Sequence, residues 1–292
     1  MKVEYFFDKD TSTMTYLVID ENSNDAVVID PVWNFDAPSG KVSEESVKLL
    51  VSKILQTKVT VRAILETHAH ADHLSGAVKL REALSSASID STQRIPICIG
   101  RYISVVQKTF FELFNIAQDA RAADYFDLLL DEGEETAFGT IKVKTISTPG
   151  HTPACSSYLI GKNIFVGDAI FMPDGGTGRC DFPGGSAEVL YNSIHEKLYA
   201  YSDDHLVYVG HDYQPGGREL RFVGTLGEQK RTNIHIKTET TKDEFVVFRK
   251  KRDATLSAPK LLLPSLQVNI RGGRLPEVEY NGVSYLKLPV RG

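Results

Sequence analysis

The first thirty residues alternate short apolar runs with polar turns. "VEYFF", "TYLVID" and "AVVID" are rich in β-branched and aromatic residues and are separated by turns such as "ENSND", which predicts three strands. The period then changes. Val47, Leu50, Val51, Ile54 and Leu55 fall on one helical face, predicting a helix over about 43–56 with Ser43 as N-cap and Glu44 and Glu45 in its first turn. "VRAILET" reads as a buried strand, and a helix follows at about 74–85. Residues 101–127 are expected to be mainly helical and to form an insertion or cover near the site, because "VVQKTFFELFNIA" is apolar along one side.

A second series repeats the plan. "TIKVKTIS", "ACSSYLIG" and "NIFVGDAIF" predict strands, a helix follows at about 186–199 with Ala187, Leu190, Tyr191, Ile194 and Leu198 on one face, and "HLVYVG" is another strand. "QPGGREL" reads as loop and 241–255 as helix. The last 35 residues, rich in Pro and Gly, read as an extended tail. Two similar halves of strand and helix predict an α/β sandwich with sheets inside and helices outside. Residues 1–215 are expected to form the core, with 216–292 as an extension packed on it.

Composition narrows the function. The 292 residues are 42% hydrophobic and 24% charged, as in ordinary globular proteins. A net charge of -5 argues against a broad nucleic-acid surface, and "RKKRD" at 249–253 is read as a solvated helix face. The start, "MKVEYFFDKD", lacks a signal-peptide pattern, and no apolar run has the length of a membrane span, so a cytoplasmic protein without membrane partners is expected. Three scattered cysteines do not make a disulfide framework. Cys98 and Cys155 read as small buried hydrophobes. Cys180 reads as a packed loop residue, with a reactive thiol as the alternative because Arg179 adjoins it.

The chemistry lies in "ETHAHADHLSG". His68, His70, Asp72 and His73 stand within six positions, the pattern H-x-H-x-D-H, immediately after a strand. Imidazole and carboxylate are the usual ligands of catalytic zinc and of non-haem iron. Further donors end other strands: His151 in a Pro-Gly turn, Asp168 in "NIFVGDAIF", and His211 in "VYVGHDY". His195, His205 and His235 stand apart and read as ordinary surface or satisfied core residues. Two zinc ions would suggest a hydrolase, and one iron would suggest oxygen chemistry.

H-x-H-x-D-H, P-G-H-T, G-D and a strand-terminal G-H, in this order, resemble the motif set of the metallo-β-lactamase superfamily over about residues 1–215. The resemblance implies an αββα sandwich with the metal at one edge of the two sheets. In dinuclear hydrolases of that kind, His68, His70 and His151 would hold one ion and Asp72, His73 and His211 the other, with Asp168 bridging. All seven residues are present, so a glyoxalase II-like dinuclear zinc thioester hydrolase remains the alternative.

Gly176, Arg179, Asp181 and Phe182 form G-x-x-R-x-D-F, which looks like the persulfide dioxygenase family. "GHDYQPGGRE" and the tail "LLLPSLQVNIRGGRLPEVEYNG" resemble its longer bacterial branch, often labelled β-lactamase hydrolase-like. That resemblance implies one Fe(II) per chain on His68, His151 and Asp168, with His70, Asp72, His73 and His211 supporting. It implies oxidation of glutathione persulfide by O2 and water, with a homodimer allowed. Arg179 in its Gly-rich loop is a candidate for a substrate carboxylate or for pairing with Asp181. Tyr213 and Arg218 are further candidates for substrate contact.

Overall fold

The computed structural model describes residues 1–87, 94–116 and 122–290. In chain order the strands and helices are β1 (Lys2–Asp8), β2 (Thr13–Ile19), β3 (Asp25–Ile29), β4 (Val32–Asp36), β5 (Lys41–Ser43), α1 (Glu45–Thr57), β6 (Thr60–Glu66), β7 (Leu74–Ser75), α2 (Ala77–Ala87), β8 (Ile97–Gly100), α3 (Ile103–Leu113), α4 (Ala122–Tyr125) and β9 (Leu128–Leu130). The second half runs β10 (Glu135–Phe138), β11 (Ile141–Ser147), β12 (Ser156–Ile160), β13 (Asn163–Phe165), α5 (Ala187–Asn192), β14 (Leu206–Tyr208), β15 (Val223–Thr225), α6 (Leu226–Thr232), α7 (Lys242–Asp253) and α8 (Leu262–Asn269).

Two six-stranded sheets stack face to face, ordered β1-β2-β3-β6-β8-β9 and β10-β11-β12-β13-β14-β15. The period-2 alternation of each strand decides which layer a residue joins. In β2, Met14, Tyr16 and Val18 point between the sheets and meet Phe138, Val143, Tyr158 and Phe165 of the second sheet. Leu17 and Ile19 point outward under α1, α2 and α3, with Val47, Leu50 and Ile54 above them. A third layer, Ile164, Val207, Leu190, Ile194 and Phe245, joins the outer face of the second sheet to α5 and α7. This is the expected αββα sandwich. Among the described residues no helix is long and apolar enough to cross a membrane.

Several local expectations change. Ser43 is the last residue of β5, paired with Asn34 across the ladder, so it cannot cap α1. Asn34 serves that end instead: its Oδ1 accepts the Ser46 N–H at 2.9 Å, while Glu44 at the N-cap position makes no side-chain cap. The helix expected at 186–199 is α only to Asn192 and continues as a π-helix over Ser193–Leu198. In the 101–127 cover, α3 buries Ile103, Val106, Phe110 and Phe111; residues 117–121 of that expectation lie outside the described residues. β15 extends the second sheet beyond residue 215.

The tail is not simply extended. It contains α8, whose Ser265, Leu266, Val268 and Asn269 are buried. "RKKRD" is not a wholly solvated face either. α7 carries the full capping box of Thr241 and Glu244, and turns Arg249 and Asp253 inward as an ion pair at 2.7 Å. Only Lys250, Lys251 and Arg252 of the run face solvent.

Candidate metal centre

Four strand ends meet at one edge of the sandwich. β6 delivers residues 67–73, β11 leads to His151, β13 to Asp168 and β14 to His211. The two sheets are joined there by the Met14 N–H, which donates to Gly210 O at 2.9 Å. Donor atoms of His68, His151 and Asp168 lie within 4.8 Å of one another, as do those of His70, Asp72 and His73. The structure thus brings all seven sequence-predicted donors to one edge.

The tautomers can be worked out from the partners. The Thr67 hydroxyl donates to Asp30 Oδ2 at 2.7 Å, so its oxygen accepts Nδ1–H of His68 at 3.0 Å. His151 Nδ1–H donates to Arg179 O at 2.7 Å, and His211 Nδ1–H donates to Ser12 O at 3.2 Å. Each ring therefore presents a bare Nε2 to the site. This is the orientation that a metal-binding histidine takes when its other nitrogen is held by a carbonyl or hydroxyl. The Nε2 atoms of His68, His73 and His211, Nδ1 of His70 and Oδ1 of Asp168 are buried without a hydrogen-bond partner. Unpartnered buried polar atoms are costly. Four such imidazoles around a carboxylate are explained by a cation, and this donor set fits a metal.

Charge follows the same logic. Burial, with His70 and His151 nearby, holds His68 well below the ordinary histidine range, so it is neutral and able to coordinate. Burial and His70 likewise lower His73. Burial opposes a charge on His70, but Asp30 at 3.1 Å and Glu66 at 3.4 Å from its Nε2 prevail and raise it well above that range. Burial also opposes a charge on His211, and Asp168 and Asp72, at 3.3 and 3.4 Å from its Nε2, outweigh it. Asp72 is held well below the carboxylate range by His211 and His73 despite its burial.

Sequence reasoning missed several members of this site. Asp30 ends the "AVVID" run and accepts both the Thr67 N–H and hydroxyl; Glu66 opens the histidine motif itself and accepts the Ser75 hydroxyl at 2.5 Å. Thr13 lies between Asp72, His73 and His211, with its Oγ1 at 3.3–3.4 Å from each. Asn269 of α8 donates to His70 O and His73 O, both at 2.8 Å, and its Oδ1 accepts the Ser75 N–H at 2.7 Å. Nothing in the local sequence marks Asn269, because its partners lie 194–199 residues away.

A cavity of about 530 Å³ opens over this edge and is lined by His151, Asp168 and Asp72 among others. Arg179, Phe182 and Tyr213 line it as well. Arg179 also pairs bidentately with Asp181 at 2.6 Å and donates to Ser257 O at 2.7 Å, so it shapes the loop as well as the wall. Arg218 does not line the cavity. Its guanidinium spans Asp174 and buried Asp212, which removes it from substrate contact. Asp181 is likewise absent from the lining and acts through Arg179. Cys180 is buried, its thiol pushed up by that burial and by Asp253, which favours the packed loop residue over the reactive thiol. His235, expected to be an ordinary histidine, is a wall residue whose Nδ1 accepts the Thr177 N–H at 3.0 Å.

Close approach explains one glycine. A Cβ at residue 178 would lie 2.1 Å from Asp168 O and 3.3 Å from His151 Nδ1, so only Gly lets this loop close against the donors.

The sandwich and its donor set define a protein that holds metal at the edge of two stacked sheets. A family model described as "Metallo-beta-lactamase superfamily" matches residues 9–211. "Glyoxylase B2" of Dictyostelium discoideum is 44% identical over 99% of this chain and 97% of its own length. A "Beta-lactamase hydrolase-like protein" of Xylella fastidiosa is 41% identical over 99% of this chain, which spans 64% of that longer protein. "Persulfide dioxygenase ETHE1, mitochondrial" of Homo sapiens is 31% identical over 82% of this chain and 77% of its own length. The crystal structure of ETHE1 from Myxococcus xanthus superposes with a TM-score of 0.72 at 28% identity, covering 94% of this chain and all of that one. The chain belongs to the metallo-beta-lactamase superfamily, in the family that also includes the persulfide dioxygenase ETHE1 and the β-lactamase hydrolase-like proteins.

Proposed function

We propose that the protein is a persulfide dioxygenase that uses one ferrous ion on His68, His151 and Asp168. The reaction is glutathione persulfide + O2 + H2O → glutathione + sulfite + 2 H⁺. The terminal sulfur loses four electrons, O2 accepts them, and the S–S bond breaks with the thiol as leaving group.

The observation that carries this reading is the grouping of two histidines and one carboxylate, His68, His151 and Asp168, of which His151 and Asp168 line the cavity. Ferrous iron held by such a set would supply the redox chemistry by which sulfur and O2 react. The chain's own residues do the rest. Thr67 and the Arg179 carbonyl fix His68 and His151 in the tautomer that coordinates. Asp168 offers a buried Oδ1 with no hydrogen-bond donor, whereas Asp72 Oδ2 is met by the Thr13 hydroxyl and His73 Nδ1, which favours a hydrogen-bonding role for Asp72. The Phe182 ring stands edge-on to His151 at 5.1 Å and shields it from water. The 31% identity to human ETHE1 supports the same reading. Three buried, unpaired cysteines fit a reducing compartment and support a cytoplasmic location.

The grouping of His70, Asp72 and His73, together with the 44% identity to "Glyoxylase B2", favours a second reading, a dinuclear zinc thioester hydrolase. Metal analysis of protein purified without added metal, paired with an oxygen electrode, separates the two. About one iron per chain with O2 uptake on glutathione persulfide is the expected result. Two zinc ions per chain and hydrolysis of a glutathione thioester without O2 uptake would overturn the proposal. Asp168→Ala is expected to lose bound iron; full iron in that variant removes Asp168 from the ligand set.

A further inference from the structure

The cavity wall carries four cations, and their partners divide them. Arg179 is paired with Asp181, and Arg249 with Asp253. The other two come from the C-terminal part of the chain. Arg252 donates only to the Thr255 hydroxyl at 3.2 Å, and among the described residues neither it nor Lys260 pairs with a carboxylate. The same wall carries Asp10, from the turn after β1, with no cation partner among the described residues. The cavity therefore presents two unneutralised positive charges and one unneutralised negative charge above the donor set. Its volume of about 530 Å³ lies within the roughly 300–1,000 Å³ typical of small-molecule sites.

Glutathione carries the complementary pattern, two carboxylates and one ammonium around a central sulfur. We infer that Arg252 and Lys260 bind the two carboxylates of the peptide and that Asp10 binds its ammonium, making this trio the specificity determinant of the site. The inference rests on the reading of a glutathione-derived substrate and deepens it. A ligand carboxylate at Arg179 or Arg249 competes with the aspartate each already holds, whereas at Arg252 or Lys260 it meets no such competitor. The trio also supplies discrimination, since a neutral or singly charged persulfide leaves one or more of the three charges without a counterpart. Arg252 and Lys260 lie on α7 and in the segment before α8, so the C-terminal region reaches over the metal edge and selects the ligand there.

The test uses the metal-loaded protein and direct binding by calorimetry, with glutathione, its diester and N-acetylglutathione as probes. Arg252→Ala and Lys260→Ala are each expected to weaken glutathione binding by ~3- to 10-fold and to leave diester binding unchanged. Asp10→Asn is expected to weaken glutathione by a similar factor and to leave N-acetylglutathione unchanged. Loss that is the same for glutathione and for the modified probes, no loss in any variant, or no glutathione binding to the unmodified protein overturns the inference. These side chains are exposed, so the variants fold. The enzymatic reading fails separately: a protein that binds glutathione through this trio but hydrolyses a thioester keeps the inference and loses the dioxygenase.

Discussion

Replacement of Asn269 by Ala perturbs the metal centre without touching any donor. Asn269 is buried in α8, and its one side chain serves three backbone groups: the carbonyls of His70 and His73 and the N–H of Ser75. Removing it leaves all three without a partner in a closed environment. Each such group costs about 1–3 kcal/mol. The lower end applies if a water enters the space left by the amide, giving a total of about 3 kcal/mol. For a chain of 292 residues that corresponds to a fall in Tm of roughly 5 °C. Asn269→Asp discriminates the cause. It keeps the acceptor for Ser75 but turns a carboxylate oxygen toward two carbonyls, so it is expected to be no better than Ala. Thermal unfolding gives the stability, and metal content after dialysis against a weak chelator gives the second readout. Both variants should melt lower and lose metal faster than the unmodified protein. A Tm within about 1 °C of it, or metal retention unchanged in both variants, refutes the claim that α8 holds the histidine loop in place.

Three further outcomes are expected. Arg218→Ala should destabilise by about 3 kcal/mol in chemical denaturation, because buried Asp212 loses its guanidinium, while the KM for persulfide stays within about twofold; a large KM increase with unchanged stability would return Arg218 to the substrate. Burial first, then Arg249 and Arg252, push the pKa of His235 down to about 4. The unfolded chain takes up this proton below about 6.5 and the folded chain does not, so stability is full above that pH and falls by about 3 kcal/mol as pH drops to 4. His235→Gln should flatten that part of the stability–pH curve; an unchanged curve removes His235 as its source. Gly178→Ala places a methyl against Asp168 O and should cost at least about 1–3 kcal/mol and most of the bound metal, read by unfolding and metal analysis; full metal retention would show that the loop can move away.

The sandwich was legible because period-2 and helical spacings are local. The strand over "TYLVID" was legible as such, but its run is apolar on both faces, and only the structure shows Met14, Tyr16 and Val18 turned to the other sheet and Leu17 and Ile19 to the helices. The donors were legible because four strands end on them. Other details depended on partners far along the chain. Ser43 has the right chemistry for a cap, but its ladder with Asn34 commits it to β5, and Asn34 then serves the helix. Arg249 looked solvated beside Lys250 and Lys251 until packing of α7 placed it against Asp253 and the Thr177 carbonyl. Arg218 looked available beside the motif that ends on His211, but two aspartates already hold it. Asn269 gave no signal at all, since one polar residue among Ser265, Gln267 and Arg271 in the tail is not marked as a clamp.

The Asn269 clamp has a consequence for the order in which the protein is made. The histidine loop leaves the ribosome 196–199 residues before the side chain that holds its carbonyls. At roughly 5–20 residues per second, the loop waits about 10–40 s for its support. During that interval His151, Asp168 and His211 are synthesised in turn while the loop that carries His68, His70 and His73 lacks its support from α8. The loop therefore reaches its finished form only after residue 269 has emerged, because until then the carbonyls of His70 and His73 lack the amide that holds them.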